Sequence, residues 1–353
     1  MYRLVEWRRA MVRQIKVAFF SFFPPTLWTP GGGEVRLSNT ERALRQLGVD
    51  VVLFDIWSRR CDFSILHCFG STYELSGFVE AAKGLGMKVV VDVIAYSTKP
   101  CWQWRLWRVL DQCIPFPTIY LLRQKIYDLA DRLIVMSHAE LKQLCSNFRI
   151  DTRKVRVVPP GIDRERFSTA DPELFVKQYG LKDFILEVSR INRHKGQARL
   201  IRALVGKGLN LVFIGPLDPT DPQGVEEFLE LANRYSCVHY LGPISHDDPT
   251  LAAAYAAARV HVLPSVSESF GLVVLESIAA GTAAVTGRYP ALYEYLGDHA
   301  YYCDPLSISD IRKSVLEAYN KGPKPGAQEY VLMNFSWKRV AIQLCEIYRE
   351  LIA

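Results

Sequence analysis

Two glutamates, Glu268 and Glu276, stand eight residues apart in the stretch Pro264-Ser-Val-Ser-Glu-Ser-Phe-Gly-Leu-Val-Val-Leu-Glu-Ser-Ile-Ala-Ala-Gly281. His261 to Leu263 read as the end of an apolar strand and Ser265 to Phe270 as a polar loop. From Leu272 onward the pattern is helical, with Val273, Leu275 and Ile278 among its apolar positions. Gly271 at the helix start lets backbone N–H groups approach a ligand closely, and a helix N-terminus attracts phosphate. In that arrangement the amides around Phe270, Gly271 and Leu272 meet a pyrophosphate. With Glu268 in the loop and Glu276 little more than a turn inside the helix, one carboxylate could hold sugar hydroxyls near a reacting carbon while the other holds a ribose. A second constellation, Ser189-Arg190-Ile-Asn-Arg-His-Lys195-Gly196-Gln197, follows another apolar strand and opens a helix. Arg190 as a fork and Lys195 as a point charge clamp a pyrophosphate at this spacing and stabilise charge building on a leaving diphosphate. The competing reading of both stretches is a solvated helix start with surface charges.

A third candidate is Gly31-Gly32-Gly33-Glu34, which follows the first apolar run. Glycines there free the backbone to approach a donor phosphate or an acceptor, with a helix N-terminus behind them; a flexible turn is the alternative. The loop is not a dinucleotide fingerprint, because G-x-G-x-x-G is absent. No D-x-D occurs, so no metal clamp is expected. The eight cysteines, at 61, 68, 101, 113, 145, 237, 303 and 345, include no C-x-x-C pair. Most sit in apolar contexts, which predicts reduced core thiols and no zinc site.

The elements that must position these residues alternate along the chain. Strand candidates are Ile15–Phe20, Val51–Ile56, Ser64–Cys68, Lys88–Ile94, Arg132–Met136 and Lys154–Val158, with helical patterns between several of them. Pro159-Pro160-Gly161 then breaks regular structure. A second set follows: Phe184–Val188, Leu209–Ile214, Val238–Leu241, Val260–Leu263, Ala283–Thr286 and Ala300–Cys303. Alternation of this kind implies βαβ units and parallel sheets, and 353 residues favour two domains. The expected division is 1–165 and 166–335. A last helix from about Ser336 to Leu351 carries Trp337, Val340, Leu344, Ile347 and Tyr348 at helical spacing.

Composition narrows the partners. Residues 1–160 hold 23 Lys and Arg against 14 Asp and Glu, a net +9, whereas the remainder nets −3. The first half is therefore the expected face for an anionic partner, a phospholipid surface or a phosphorylated acceptor. A scattered solvated surface is the plainer reading. Nucleic acid is not expected, since zinc-finger spacing, helix-turn-helix and RNA-recognition patterns are absent. The segment Lys99–Arg108 mixes Trp and Arg at near-helical spacing, which suits a membrane interface or a buried helix with a polar edge. No run of 18 apolar residues appears, and the basic N-terminus lacks the apolar core and cleavage site of a signal peptide, so cytoplasmic residence is expected.

Glu268 and Glu276, with Phe-Gly-Leu between them, Pro-Ser before and Ala-Ala-Gly after, resemble the E-x7-E element of family 4 retaining glycosyltransferases, which use nucleotide sugars. Ser189 to Gly196 is similar to that family's Arg/Lys region, with Ser189 where Gly is usual. Further similarity runs through Asp62 to His67, Ala130 to Ser137, Val157 to Asp163, and Tyr289 to Pro305. The resemblance implies a GT-B fold, two doubly wound Rossmann-like domains with an interdomain cleft, the last helix crossing back to the first domain. It implies hexosyl transfer with retention from a UDP- or GDP-hexose to a hydroxyl acceptor, lipid-linked or phosphorylated. Donor contacts would come from Gly32, Gly33, Ser189, Gly215, Phe270, Gly271, Leu272 and Glu276, with Ile244 at the base. Glu268, Arg190 and Lys195 would carry the chemistry, with no cofactor beyond the donor. The sequence departs from the pattern at Ile94, where a sugar-contacting His is frequent, and at Ala283, where Pro is usual. Asp92, Tyr96 or His67 would then position the sugar on the acceptor side. A non-catalytic sugar-nucleotide binder and a nucleotide-sugar epimerase remain alternatives.

Overall fold

The computed structural model describes residues 15–22, 32–58, 61–94, 100–110 and 116–352. Tyr96, Gly31, Cys113 and the basic N-terminal segment lie outside these described residues. The chain divides into two compact units, Met1–Gly161 with Trp337–Ala353, and Ile162–Ser336.

In the first unit, strands β1 (Lys16–Ser21), β2 (Asp50–Leu53), β3 (Ile65–Phe69), β4 (Lys88–Asp92), β5 (Arg132–Val135) and β6 (Val155–Val157) form one sheet. All pairs are parallel, in the order β2-β1-β3-β4-β5-β6. Helices on both faces require strands that are apolar throughout, and Val17-Ala18-Phe19, Ile65-Leu66 and Val89-Val90-Val91 meet that requirement, each fully or almost fully buried. β2 and β4 end two or more residues before their apolar runs do. β2 stops at Leu53 because Asp55 turns the chain, its Oδ1 accepting the Trp57 amide at 2.9 Å. β4 stops at Asp92, and two residues later Ile94 takes a left-handed backbone, φ 40°, which a β-branched side chain rarely adopts.

The helix Trp337–Ile352 belongs to this first unit although it ends the sequence. Its buried stripe, Val340, Leu344, Ile347, Tyr348 and Leu351, packs beside the helix Gly32–Gln46. Glu350 near its end accepts from Arg132 at 3.1 Å and from Arg156 at 2.9 Å, tying it to β5 and β6.

In the second unit, β7 (Ile185–Val188), β8 (Leu211–Ile214), β9 (Val238–Tyr240), β10 (Val260–Leu263), β11 (Ala283–Gly287) and β12 (Tyr301–Cys303) form another parallel sheet. Its order is β12-β11-β10-β7-β8-β9. Strand order therefore reverses between β10 and β7, and the chains leaving their carboxyl ends diverge to opposite sides. Such a switch point opens a crevice where open α/β sheets take ligands. The corresponding reversal in the first unit lies between β1 and β3. The short helix Arg164–Ser168 packs against helices Pro249–Ala257 and Leu272–Ala279, which puts the division of the chain at Gly161 and Ile162.

The described cysteines are free thiols. Burial pushes Cys68 and Cys303 up to about 12, which leaves them unreactive, whereas Cys61 and Cys145 are exposed rather than core residues. Among the described residues no helix is long and apolar enough to cross a membrane.

Candidate functional site

The β10/β7 switch point brings the two charged stretches together. The loop after β7 carries Ser189 to Gly196, and the loop after β10 carries Pro264 to Gly271. The Val266 amide donates to the His194 carbonyl at 2.8 Å, and His194 Nε2 lies 3.3 Å from the Ser267 carbonyl, so the loops are stitched edge to edge. Across that seam Lys195 Nζ forms an ion pair with Glu268 Oε1, which also accepts from Ser265 Oγ at 2.8 Å. A cation and a carboxylate 73 residues apart in sequence thus face one another, both largely shielded from solvent.

Each loop is held from beneath. The Lys195 amide donates to Asn192 Oδ1 at 2.9 Å, while Asn192 Nδ2 donates to Asp218 Oδ2 at 2.7 Å. Arg199 donates to three carbonyls in three separate loops, Pro305 at 2.7 Å, Arg193 at 3.1 Å and Pro264 at 3.3 Å. Planar, forked donors suit that task in a way an ammonium would not. Gly215, expected in the donor site, follows β8 with φ 146°, and a Cβ there would overlap the Ser189 carbonyl. Its role in the fold is to let the β7 and β8 ends close up beneath Arg190.

Ser189, where the family resemblance expects a glycine, has a satisfied hydroxyl. Ser189 Oγ lies 2.5 Å from Glu187 Oε1 and 3.2 Å from the Arg190 carbonyl. Gln197 Nε2 approaches the same hydroxyl at 2.9 Å and the Arg190 carbonyl at 3.0 Å. Glu187 is completely buried inside β7, and burial pushes its carboxyl up to about 8 against the opposing effects of Ser189, Gln197 and Lys195. Its oxygens accept from the Ser189 hydroxyl and, at 3.3 Å, from Gln197 Nε2.

The helix Leu272–Ala279 begins at Gly271, whose φ of 69° turns the chain into the helix without a side-chain cap. Its first amides lack intrahelical acceptors and are the donors expected at this position. Phe270 is a core residue, stacked on Tyr295 at 4.1 Å, with the Tyr295 hydroxyl donating to its carbonyl. Only its backbone can serve a ligand. Glu276 is buried, with His246 Nε2 3.0 Å from Oε1 and the Tyr255 hydroxyl donating to Oε2 at 3.1 Å. Ile244, two residues before His246, is half-buried.

In the first unit Gly32 and Gly33 open the helix Gly32–Gln46. Two of the acceptor-side candidates, His67 and Asp92, are buried in the first unit, and Tyr96 lies outside the described residues. His67 is fully enclosed, stacked on Phe69, with Nδ1 and the Tyr348 hydroxyl hydrogen-bonded at 2.6 Å. Desolvation lowers its pKa to about 3, so the ring is a neutral core group rather than an acceptor-side imidazole. Asp92 is 1% exposed and receives Arg36 Nε at 2.6 Å, while Arg36 also donates to the Val158 carbonyl at 3.2 Å. Burial raises the Asp92 carboxyl and Arg36 opposes that rise. The pair ties β4 to the helix Gly32–Gln46.

Glu187, Arg199, His246 and Tyr255 had no place in the sequence-derived site. Glu187 alone carried a signal, as a carboxylate inside an apolar strand. Among the described residues no group of three His, Cys, Asp or Glu side chains is placed to hold a metal ion.

Comparison with known proteins agrees with this geometry. The family model described as "Glycosyl transferases group 1" matches residues 175–329, and "Glycosyltransferase Family 4" matches residues 55–166. A D-inositol 3-phosphate glycosyltransferase from Mycolicibacterium paratuberculosis is 36% identical over 177 residues, 47% of this chain and 40% of that protein. Another, from Paenarthrobacter aurescens, is 29% identical over 249 residues, 65% of this chain and 60% of that protein. The chain thus spans about half the length of these curated relatives. Among solved structures, sucrose-phosphate synthase from Thermosynechococcus elongatus superposes with a TM-score of 0.76 at 19% identity, covering 96% of this chain and 99% of that one. Anabaena HepE in complex with UDP-glucose gives 0.73 at 15% identity, covering 95% and 100%. With two adjoining family models over residues 55–166 and 175–329 and the GT-B fold in both sheets, the chain belongs to the family 4 glycosyltransferases.

Proposed function

We propose that the protein transfers a hexosyl unit from a nucleoside diphosphate sugar to a hydroxyl acceptor, with retention and without a metal clamp. The observation that carries this reading is the meeting of Lys195 and Glu268 across the β10/β7 switch point, beside the start of the helix Leu272–Ala279. Arg190, Lys195 and the helix amides would take the diphosphate, Glu268 the sugar hydroxyls and Glu276 the ribose. Lys195 is already neutralised by Glu268, so an arriving diphosphate shares the ammonium and frees the carboxylate for hydroxyl donors. As the C1–O bond to the diphosphate breaks, negative charge moves onto the phosphate and toward Arg190 and Lys195. The acceptor oxygen bonds to C1 from the same face and passes its proton to the departing phosphate oxygen.

The named relatives act on an inositol phosphate and HepE binds UDP-glucose, which supports a UDP-hexose donor and a phosphorylated acceptor. A lipid-linked acceptor at an anionic surface is supported by the helix Cys101–Leu110. It has no buried residue and exposes Trp102 (62%), Leu106, Trp107 and Val109 beside Arg105 and Arg108. The enclosure of His67 and Asp92 favours a second reading, a binder of sugar nucleotides that does not catalyse transfer.

A thermal-shift panel of UDP, GDP and ADP with their hexose derivatives tests the donor site. A ligand at 100 times its Kd adds about 2.7 kcal/mol, and a flat response across the panel sinks the reading. Release of nucleoside diphosphate with inositol phosphate as acceptor then tests transfer. Glu268→Ala loses turnover in an enzyme, whereas in a binder it lowers affinity alone.

A further inference from the structure

The geometry points to His246 as the residue that positions Glu276 to read the nucleoside's ribose, an inference resting on the donor-site reading above. Three side chains from two helices converge on it: Glu276, Arg166 and Phe167. His246 Nε2 is 3.0 Å from Glu276 Oε1, and Arg166 Nη1 is 3.5 Å from His246 Nδ1. Arg166 is itself fixed, donating from Nη2 to the Asp248 carbonyl at 2.9 Å and lying over the Phe167 ring at 5.2 Å. Asp247 Oδ1, 4.0 Å from Arg166 Nη1, is the other charged group at the guanidinium. Phe167 in turn meets the edges of both His246 and Tyr255.

This arrangement sets the tautomer. A guanidinium offers only donors, so His246 Nδ1 must present its lone pair to Arg166, and Nε2 must then carry the proton donated to Glu276. Tyr255 occupies the other Glu276 oxygen at 3.1 Å from a fully buried position. One bond on each oxygen fixes the carboxylate plane and leaves one lone-pair site on each for a ligand. Glu276 is 5% exposed and Tyr255 is sealed, while His246 is 26% exposed. A ribose hydroxyl reaching Glu276 therefore passes the imidazole edge, and His246 orients the oxygen that receives it. His246 acts through Glu276 as a positioning residue and determines preference for ribose over 2′-deoxyribose.

Calorimetric titration of the full chain with UDP, 2′-deoxy-UDP, GDP and 2′-deoxy-GDP tests this in the wild type, His246→Ala and His246→Gln. A hydrogen bond to a charged acceptor gives the wild type a preference of about tenfold or more for the better ribonucleotide over its deoxy form. In His246→Ala that preference falls to about threefold or less, and His246→Gln, which still offers an N–H, restores most of it. A wild type that binds none of the four nucleotides overturns the donor site itself. A wild type that discriminates, with His246→Ala weakening ribo- and deoxynucleotide equally, overturns the role of His246 alone. Matching thermal unfolding of the three proteins guards against loss of fold.

Discussion

The buried acid under Arg190 makes the second unit sensitive to alkali in a calculable way. Glu187 in the folded protein holds its proton up to about 8, whereas the free side chain releases it near 4.5. Between those values the folded state binds a proton that the unfolded state lacks. Stability is therefore fully present below about pH 4.5 and is lost as pH rises toward 8. Each pH unit in that span removes at most about 1.4 kcal/mol. The cleanest window lies above pH 6.5, because the buried imidazoles of His67 and His261, lowered to about 3, change stability only below their ordinary value of 6.5. From 6.5 to 8 the wild type should lose up to about 2 kcal/mol. Glu187→Gln keeps the side chain's shape and its contacts with Ser189 and Gln197 but cannot ionise. Denaturant unfolding of both proteins across this window, following the transition of the second unit, should show the wild type falling and the variant flat. Infrared difference spectra at neutral pH should contain a protonated carboxylic acid band that the variant lacks. Parallel stability curves, or no such band, would refute the assignment of Glu187 as a neutral acid.

His261 is fully buried on β10 with neither ring nitrogen bonded among the described residues, so His261→Leu should stabilise by about 1 kcal/mol or more and flatten the loss of stability between pH 6.5 and 3. Chemical denaturation over that range is the check. Gly215→Ala places a methyl against the Ser189 carbonyl at φ 146° and should cost at least about 2 kcal/mol, with loss of nucleotide affinity by calorimetry. Asp92→Ala strands Arg36 in the core and should cost about 3–5 kcal/mol, while Arg36→Met with Asp92→Leu should recover most of it in a double-mutant cycle. Co-sedimentation with anionic vesicles should be retained by the wild type and lost in a Trp102→Ser, Trp107→Ser variant, and absent binding by the wild type removes the lipid-surface reading.

The strands were legible because a sheet covered on both faces needs unbroken apolar runs, and Val89-Val90-Val91 or Leu211-Val212-Phe213 have no other use at that length. Their ends were less so: the turn at Asp55 and the left-handed Ile94 depend on local backbone geometry that apolar runs do not encode. In the site, Glu268 and Lys195 were each legible because each belongs to a patterned loop at a strand end, but their ion pair was not, since it joins two loops 73 residues apart. Nor were the partners of Glu276. His246 and Tyr255 lie 30 and 21 residues upstream and reach it only because β9, the helix Pro249–Ala257 and the helix Leu272–Ala279 converge in three dimensions. His67 misled for the same reason: its position at a strand end suggested access, and the helix that covers it arrives from the far end of the sequence.

That distant helix has a consequence for how the protein is made. The first unit's sheet leaves the ribosome well before Trp337–Ile352, and the whole of Ile162–Ser336 is synthesised in between. At roughly 5–20 residues per second the wait is on the order of ten seconds or more. During it His67 lacks its Tyr348 partner and the apolar flank of helix Gly32–Gln46 has no cover. The later-made unit is therefore the first that can finish folding, and the earlier-made one is the natural client of a chaperone.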